Sequence, residues 1–181
     1  ELGITLSFYF QEIEISTVSG RPSYYLITQD IDKIIERSGV ENGICLVQTY
    51  HTTCSVYFDE YMHDKNYYGD DYLQVDLNHI LDRLVPKQST ENYPYLSPGP
   101  KHIAYGMKKI DPNYPAVKWT MLNTDAHLRS DFLGSSVTLG VKGGQLLTGP
   151  VGQIFFVDFD QTRERDRKIQ VIVLGDEEDD G

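Results

Sequence analysis

Apolar residues recur at helical spacing in three segments and gather into short runs elsewhere. Within residues 76–84, Leu77, Ile80, Leu81 and Leu84 fall at i, i+3, i+4 and i+7, the face of one helix. Asp76 is placed to cap it and Pro86 follows its end. Residues 29–38 put Ile31, Ile34 and Ile35 on one side, with Thr28 as the expected N-cap and Gly39 just past the end. A third, shorter helix is predicted over 125–133, stopping at Gly134. The runs at 4–16, 44–50, 55–58, 137–141, 145–147, 154–159 and 168–174 read as strands, and Gly143-Gly144 reads as a hairpin turn. The last four strands follow one another without a helix between them, which favours an α+β fold: a large mixed, mostly antiparallel β-sheet packed against a few helices.

Residues 86–115 break both patterns. They hold six of the eight prolines together with Tyr93, Tyr95, Tyr105 and Tyr114, so no regular element is expected over most of this stretch. Its tyrosines favour a functional lid over a disordered linker.

With 181 residues, 40% hydrophobic and 24% charged, the chain has the size of one domain, assigned to residues 1–175 and followed by an acidic tail at 176–181. A chain of this length buries roughly 70% of its unfolded surface, so a metal would serve function rather than stability. The net charge of −11 argues against nucleic-acid binding, which needs clustered cations, and against an anionic membrane surface. The longest apolar runs reach four residues, far short of a membrane helix. No signal peptide is visible, and Cys45 and Cys54 lack a disulfide framework or CxxC spacing, so two reduced thiols in a cytoplasmic protein are expected.

Two of the five histidines stand in distinctive settings: His51 within His51-Thr52-Thr53-Cys54-Ser55, where a strand ends, and His127 within Asn123-Thr124-Asp125-Ala126-His127-Leu128, where a helix starts. Such a pair suits binding a divalent metal or moving protons, while helix amides suit an anion. The same spacing also fits two histidines hydrogen-bonded at a core boundary. His63, His79 and His102 are expected at the surface. The carboxylates from Asp59 to Asp76 lack a ligand spacing and read as solvated loop charges, with Glu60 the exception because it closely follows the His51 strand. No Walker loop, GxGxxG, GxSxG or HExxH is present.

Taken in order, several segments resemble the YjbQ family, to which a secondary thiamine-phosphate synthase activity is ascribed. The resemblance spans residues 12–175. It runs through Ile15-Ser16-Thr17, Leu26-Ile27-Thr28, Ser38-Gly39-Val40 with Gly43, the His51-Thr52-Thr53-Cys54-Ser55 segment, Glu60, Asp82-Arg83-Leu84-Val85-Pro86, Asn123 to Leu128, Leu133 to Thr138 and the closing strands. It implies a homotrimer with a polar pocket at a subunit boundary. There His51 and His127 would bind zinc, manganese or magnesium, or act as acid-base groups. Glu60 and Asp125 would assist the chemistry, Asn123 and Asp125 would orient the histidines, and Thr52 and Thr53 would help hold a phosphate or carboxylate.

The departures from the family pattern matter as much. Trp119 stands where the family usually has a third histidine, and an indole has no lone pair for a metal. Pro150, Val151 and Gly152 replace the residues after the glycine of a G-T-W-Q motif, and Trp119 is a candidate to compensate in the pocket. There is also extra sequence between Glu60 and Asp76. Two functions follow from the resemblance. One is a metal-assisted transferase that joins hydroxymethylpyrimidine pyrophosphate to thiazole phosphate with loss of pyrophosphate. The other is a non-catalytic trimeric protein that keeps an anion pocket and has lost part of the metal site. A weaker third is a metal-dependent hydrolase or isomerase.

Overall fold

The computed structural model describes residues 6–89, 95–109 and 121–177. Eight strands and four helices follow one another as β1 (Leu6–Ser16), β2 (Ser23–Leu26), α1 (Thr28–Ser38), β3 (Val40–Gln48), β4 (Cys54–Glu60), α2 (Tyr72–Leu84), α3 (Pro100–Lys109), α4 (Thr124–Leu133), β5 (Ser136–Lys142), β6 (Gln145–Leu146), β7 (Gly152–Asp158) and β8 (Asp166–Glu177). The fold is α+β. The strands divide between two antiparallel sheets, one in the order β1-β8-β3-β5-β6 and the other β2-β7-β4.

The sheet β2-β7-β4 is the middle layer, with a core on each face. On one side Val56, Ile154 and Phe156 meet Cys45, Val47, Val171 and Val173 of the larger sheet and Ile31, Ile34 and Ile35 of α1. On the other, Tyr57, Phe155, Val157 and Phe159 lie against Leu81 of α2 and Ala126 of α4. Burial on both faces explains why β7 reads as a continuous apolar run rather than an alternation.

Most predicted elements form. The two glycines of the β5–β6 hairpin both adopt positive φ, 58° at Gly143 and 66° at Gly144, as a two-residue turn of this hand requires. Gly39 ends α1 in the left-handed conformation. Thr28, expected as the N-cap, is instead the first helical residue, and its Oγ1 accepts the Ile154 N–H at 2.9 Å, tying α1 to β7. Helix α2 begins at Tyr72 rather than after Asp76, because Asp71 and Gln74 form a capping box. Its inward side holds Gln74 and Leu81, with Leu77 packed alongside, and leaves Ile80 and Leu84 exposed despite their helical spacing.

Strand β2 was not foreseen, since four residues are too few to display an alternation. Nor was α3, which forms inside the proline-rich stretch with Pro100 at its first position, where the missing N–H costs nothing. Both cysteines are free and buried, and burial pushes the Cys45 thiol up to about 12. His63, His79 and His102 are exposed. Trp119, Tyr93, Tyr114 and the tail beyond Glu177 lie outside the described residues. No helix among the described residues is long and apolar enough to cross a membrane.

Candidate functional site

The segment between β3 and β4 is a tight turn closed by the Cys54 N–H donating to the His51 carbonyl at 2.9 Å. It is fixed from three sides. The Thr49 hydroxyl accepts the His51 N–H at 3.2 Å, the Thr53 carbonyl accepts the Phe159 N–H at 3.0 Å, and α4 presses against the start of β4. That last contact is reciprocal: Ser55 donates to the Ser130 carbonyl at 3.2 Å and Ser130 donates to the Cys54 carbonyl at 2.8 Å. One turn earlier on α4, His127 therefore faces the turn, with Nδ1 at 3.2 Å from the Thr52 carbonyl. A carbonyl only accepts, so Nδ1 carries a proton, and no hydrogen bond engages Nε2 among the described residues.

His51 is arranged differently. Its Nε2 accepts the Lys168 N–H at 3.0 Å and its Nδ1 lies 3.4 Å from Nη1 of Arg167. Partial burial and then the Arg167 charge lower its pKa, so the neutral form is held. Its Nε2 lone pair is already engaged by a backbone amide from β8. The two imidazoles thus flank Thr52 but have unequal chemistry: His127 offers a free nitrogen, while His51 positions the turn.

Beneath the turn lies a network that the sequence reading missed. Asp158, fully buried at the end of β7, accepts Nε of Arg167 at 2.7 Å, the Thr17 hydroxyl at 3.3 Å and the Thr53 hydroxyl at 3.3 Å, while Nη2 of Arg167 donates to Thr53 at 3.0 Å. Two residues on, Asp160 accepts Nη2 of Arg165 at 2.7 Å, the Thr162 hydroxyl at 2.6 Å and Nδ2 of Asn123 at 2.9 Å. Burial raises the Asp160 pKa, but Arg165 and these hydrogen bonds outweigh it and the carboxyl stays below the usual range. The Arg167 guanidinium is likewise penalised by burial and more than restored by Asp158. Arg165 Nε is buried without a hydrogen-bond partner among the described residues.

The spacings Asp158-x-Asp160 and Arg165-x-Arg167 were available as a signal, since charges at every second position near buried strands require partners. Of the residues singled out from the sequence, Asn123, Thr52, Thr53, His51 and His127 converge on this corner. Asp125 sits buried in the first turn of α4, its pKa raised by burial. Glu60 does not join them: it ends β4 opposite Gly152, six residues beyond Cys54 or about 20 Å along an extended strand. Among the described residues no group of three histidine, cysteine or carboxylate side chains is placed to hold a metal.

The fold and this corner define a class, a small α+β protein with a histidine-bearing turn over a buried arginine–aspartate network. The family model for UPF0047 protein YjbQ-like matches residues 11–176, and the chain belongs to that family. A UPF0047 protein of Methanothermobacter thermautotrophicus is 29% identical over 96% of this chain and 96% of its own length. Another, from Methanocaldococcus jannaschii, is 27% identical over 81% of this chain and 82% of its own. Among solved structures, a YbjQ-like protein of unknown function from Sulfolobus solfataricus matches with a TM-score of 0.68 at 27% identity, covering 95% of this chain and all of that one. An uncharacterised YjbQ/UPF0047 protein of Clostridium acetobutylicum gives 0.62 at 25% identity, covering 89% and 98%.

Proposed function

We propose that the protein binds a small phosphorylated molecule at the corner where the His51–Cys54 turn meets α4 and the start of β8. The observation that carries this reading is the arginine pair. Arg165 and Arg167 are held in place by buried carboxylates, and the Arg165 side chain keeps 14% of its surface exposed, so its guanidinium is suited to a phosphate oxygen. His127, its Nδ1 anchored on Thr52, has its Nε2 available to donate or accept a proton.

The transferase implied by the resemblance, joining hydroxymethylpyrimidine pyrophosphate to thiazole phosphate, would set its leaving pyrophosphate on this corner. A divalent cation would neutralise that charge. His127 Nε2 is the one motif imidazole nitrogen open to it, because His51 commits its Nε2 lone pair to the Lys168 amide, so a centre of both histidines does not fit within one chain. Further donors would come from a neighbouring copy. The homotrimer is favoured by an exposed apolar patch on the larger sheet, where Phe8 and Ile44 flank Leu174 in register beside Phe10.

Calorimetric titration with pyrophosphate, with and without magnesium or manganese, tests the binding. Saturable binding is expected, weakened about tenfold in Arg165→Gln. Absence of saturation overturns the proposal. Turnover of the two thiamine precursors, lost in His127→Ala, then separates the transferase from the binding protein.

A further inference from the structure

A cavity of about 190 Å³ lies away from this corner, between the edge of the middle sheet and residues 61–71. Tyr24, Tyr61 and Phe155 give it aromatic walls, Leu26 an aliphatic one, and Lys65 and Gln74 its polar groups.

That segment is held in one shape. Asp71 is buried and uses both carboxylate oxygens on backbone, accepting the Met62 N–H at 2.7 Å and the Leu73 N–H at 2.9 Å. The Tyr72 N–H reaches the Asp64 carbonyl at 3.0 Å, and Asp70 pairs with Arg21 at 3.0 Å. Within the segment, His63 has φ of 69°, the one positive value of a non-glycine residue among those described, inside a turn closed by Asp64 N–H on Met62 O at 2.9 Å. Such a turn is strained and persists where surrounding contacts over-determine it. It sets Tyr61 and Lys65 side by side, with the ammonium 5.4 Å from the ring centroid.

The chemistry of the lining selects a ligand. Asp71 also lines the cavity, its carboxylate turned onto the Met62 and Leu73 amides, and Lys65 makes no ion pair among the described residues. An ammonium beside the Tyr61 ring, in a cavity that Tyr24 and Phe155 also wall, favours a planar ring that bears a negative charge, and the volume suits a single substituted ring. We propose that this cavity is a second site, independent of the phosphate corner, that binds a small aromatic monocarboxylate.

The test is an amide-resolved NMR titration of the intact protein with benzoate, beside cyclohexanecarboxylate, which lacks the ring electrons, and benzamide, which lacks the charge. Benzoate is expected to saturate, shift the amides of Tyr24, Lys65, Gln74 and Phe155, and bind more tightly than either control. Lys65→Gln should weaken benzoate about fivefold while leaving benzamide unchanged, because the lost contact is a partly exposed charge pair. Tyr61→Leu should erase the preference for benzoate over cyclohexanecarboxylate. Failure to saturate overturns the proposal. So does binding that survives Lys65→Gln but is lost in Arg165→Gln, which would assign benzoate to the phosphate corner.

Discussion

The β4–β7 ladder has two ends, and they treat charge in opposite ways. At one end Cys54 lies opposite Asp158, and the carboxylates there are buried, each held by an arginine and two or more further donors. At the other end Glu60 lies opposite Gly152 and is exposed, its carboxylate facing solvent. Both ends carry residues that the family resemblance marks. Only the first has the burial and fixed geometry that make hydrogen-bond donors effective toward a ligand, since preorganised dipoles in a dry site act more strongly than mobile ones in water.

The sharpest way to break this comparison is Asp158→Ala. It strands the Arg167 guanidinium, 10% exposed, beside Thr53 and a neutral His51. Removing one partner of a buried ion pair costs about 3–5 kcal/mol. Urea denaturation should show a loss of this size, with Asp158→Asn, which keeps a hydrogen-bond acceptor but not the charge, recovering only part of it. A loss below about 1 kcal/mol would mean that water already reaches this end of the ladder and that the two ends do not differ in kind.

The contrast was half legible in the sequence. Local signals were readable: the Ile31, Ile34, Ile35 stripe, the Gly143-Gly144 turn, and the His51 and His127 segments that the structure sets around Thr52. What escaped depends on distant partners. The tautomer of His51 is set by the amide of Lys168, 117 residues away, and Asp158 meets Thr17 across 141. No local periodicity reports such pairings. Glu60 misled for the opposite reason: it is near His51 along the chain, and an extended strand turns nearness in sequence into separation in space. The proline count likewise concealed α3, since a proline at the first helical position is compatible with a helix.

His51 supplies a second, smaller test. In the unfolded chain its imidazole titrates near its ordinary value of 6.5, and in the fold burial and Arg167 lower that value. Below pH 6.5 the unfolded state therefore binds more protons, and stability rises with pH through that window. The contribution is fully present above 6.5 and is lost as the pH falls toward the folded value. Between pH 7.5 and 5 the urea midpoint should fall, and His51→Asn should flatten that slope while costing about 1 kcal/mol at pH 7.5 for the lost Lys168 hydrogen bond. An unchanged slope would show that His51 is not held neutral by its surroundings.

The smallest expected effect is the most informative about assembly. Glu60→Gln removes a charge at the exposed end of β4 and preserves shape, so the stability change should stay under about 0.5 kcal/mol. Within one chain Glu60 is too far from the His51 turn to touch a ligand there, so pyrophosphate affinity should also hold within about twofold. A tenfold change would carry a specific meaning. Screened charge acting over about 20 Å is too weak to produce it, so Glu60 would have to reach the phosphate corner of a neighbouring copy. Light scattering on the same variant would decide the route: an unchanged molecular mass with weakened binding would put Glu60 across a subunit boundary, and a reduced mass would make it part of an interface. In either case the two ends of the ladder would cease to be independent, joined between subunits rather than along the strand.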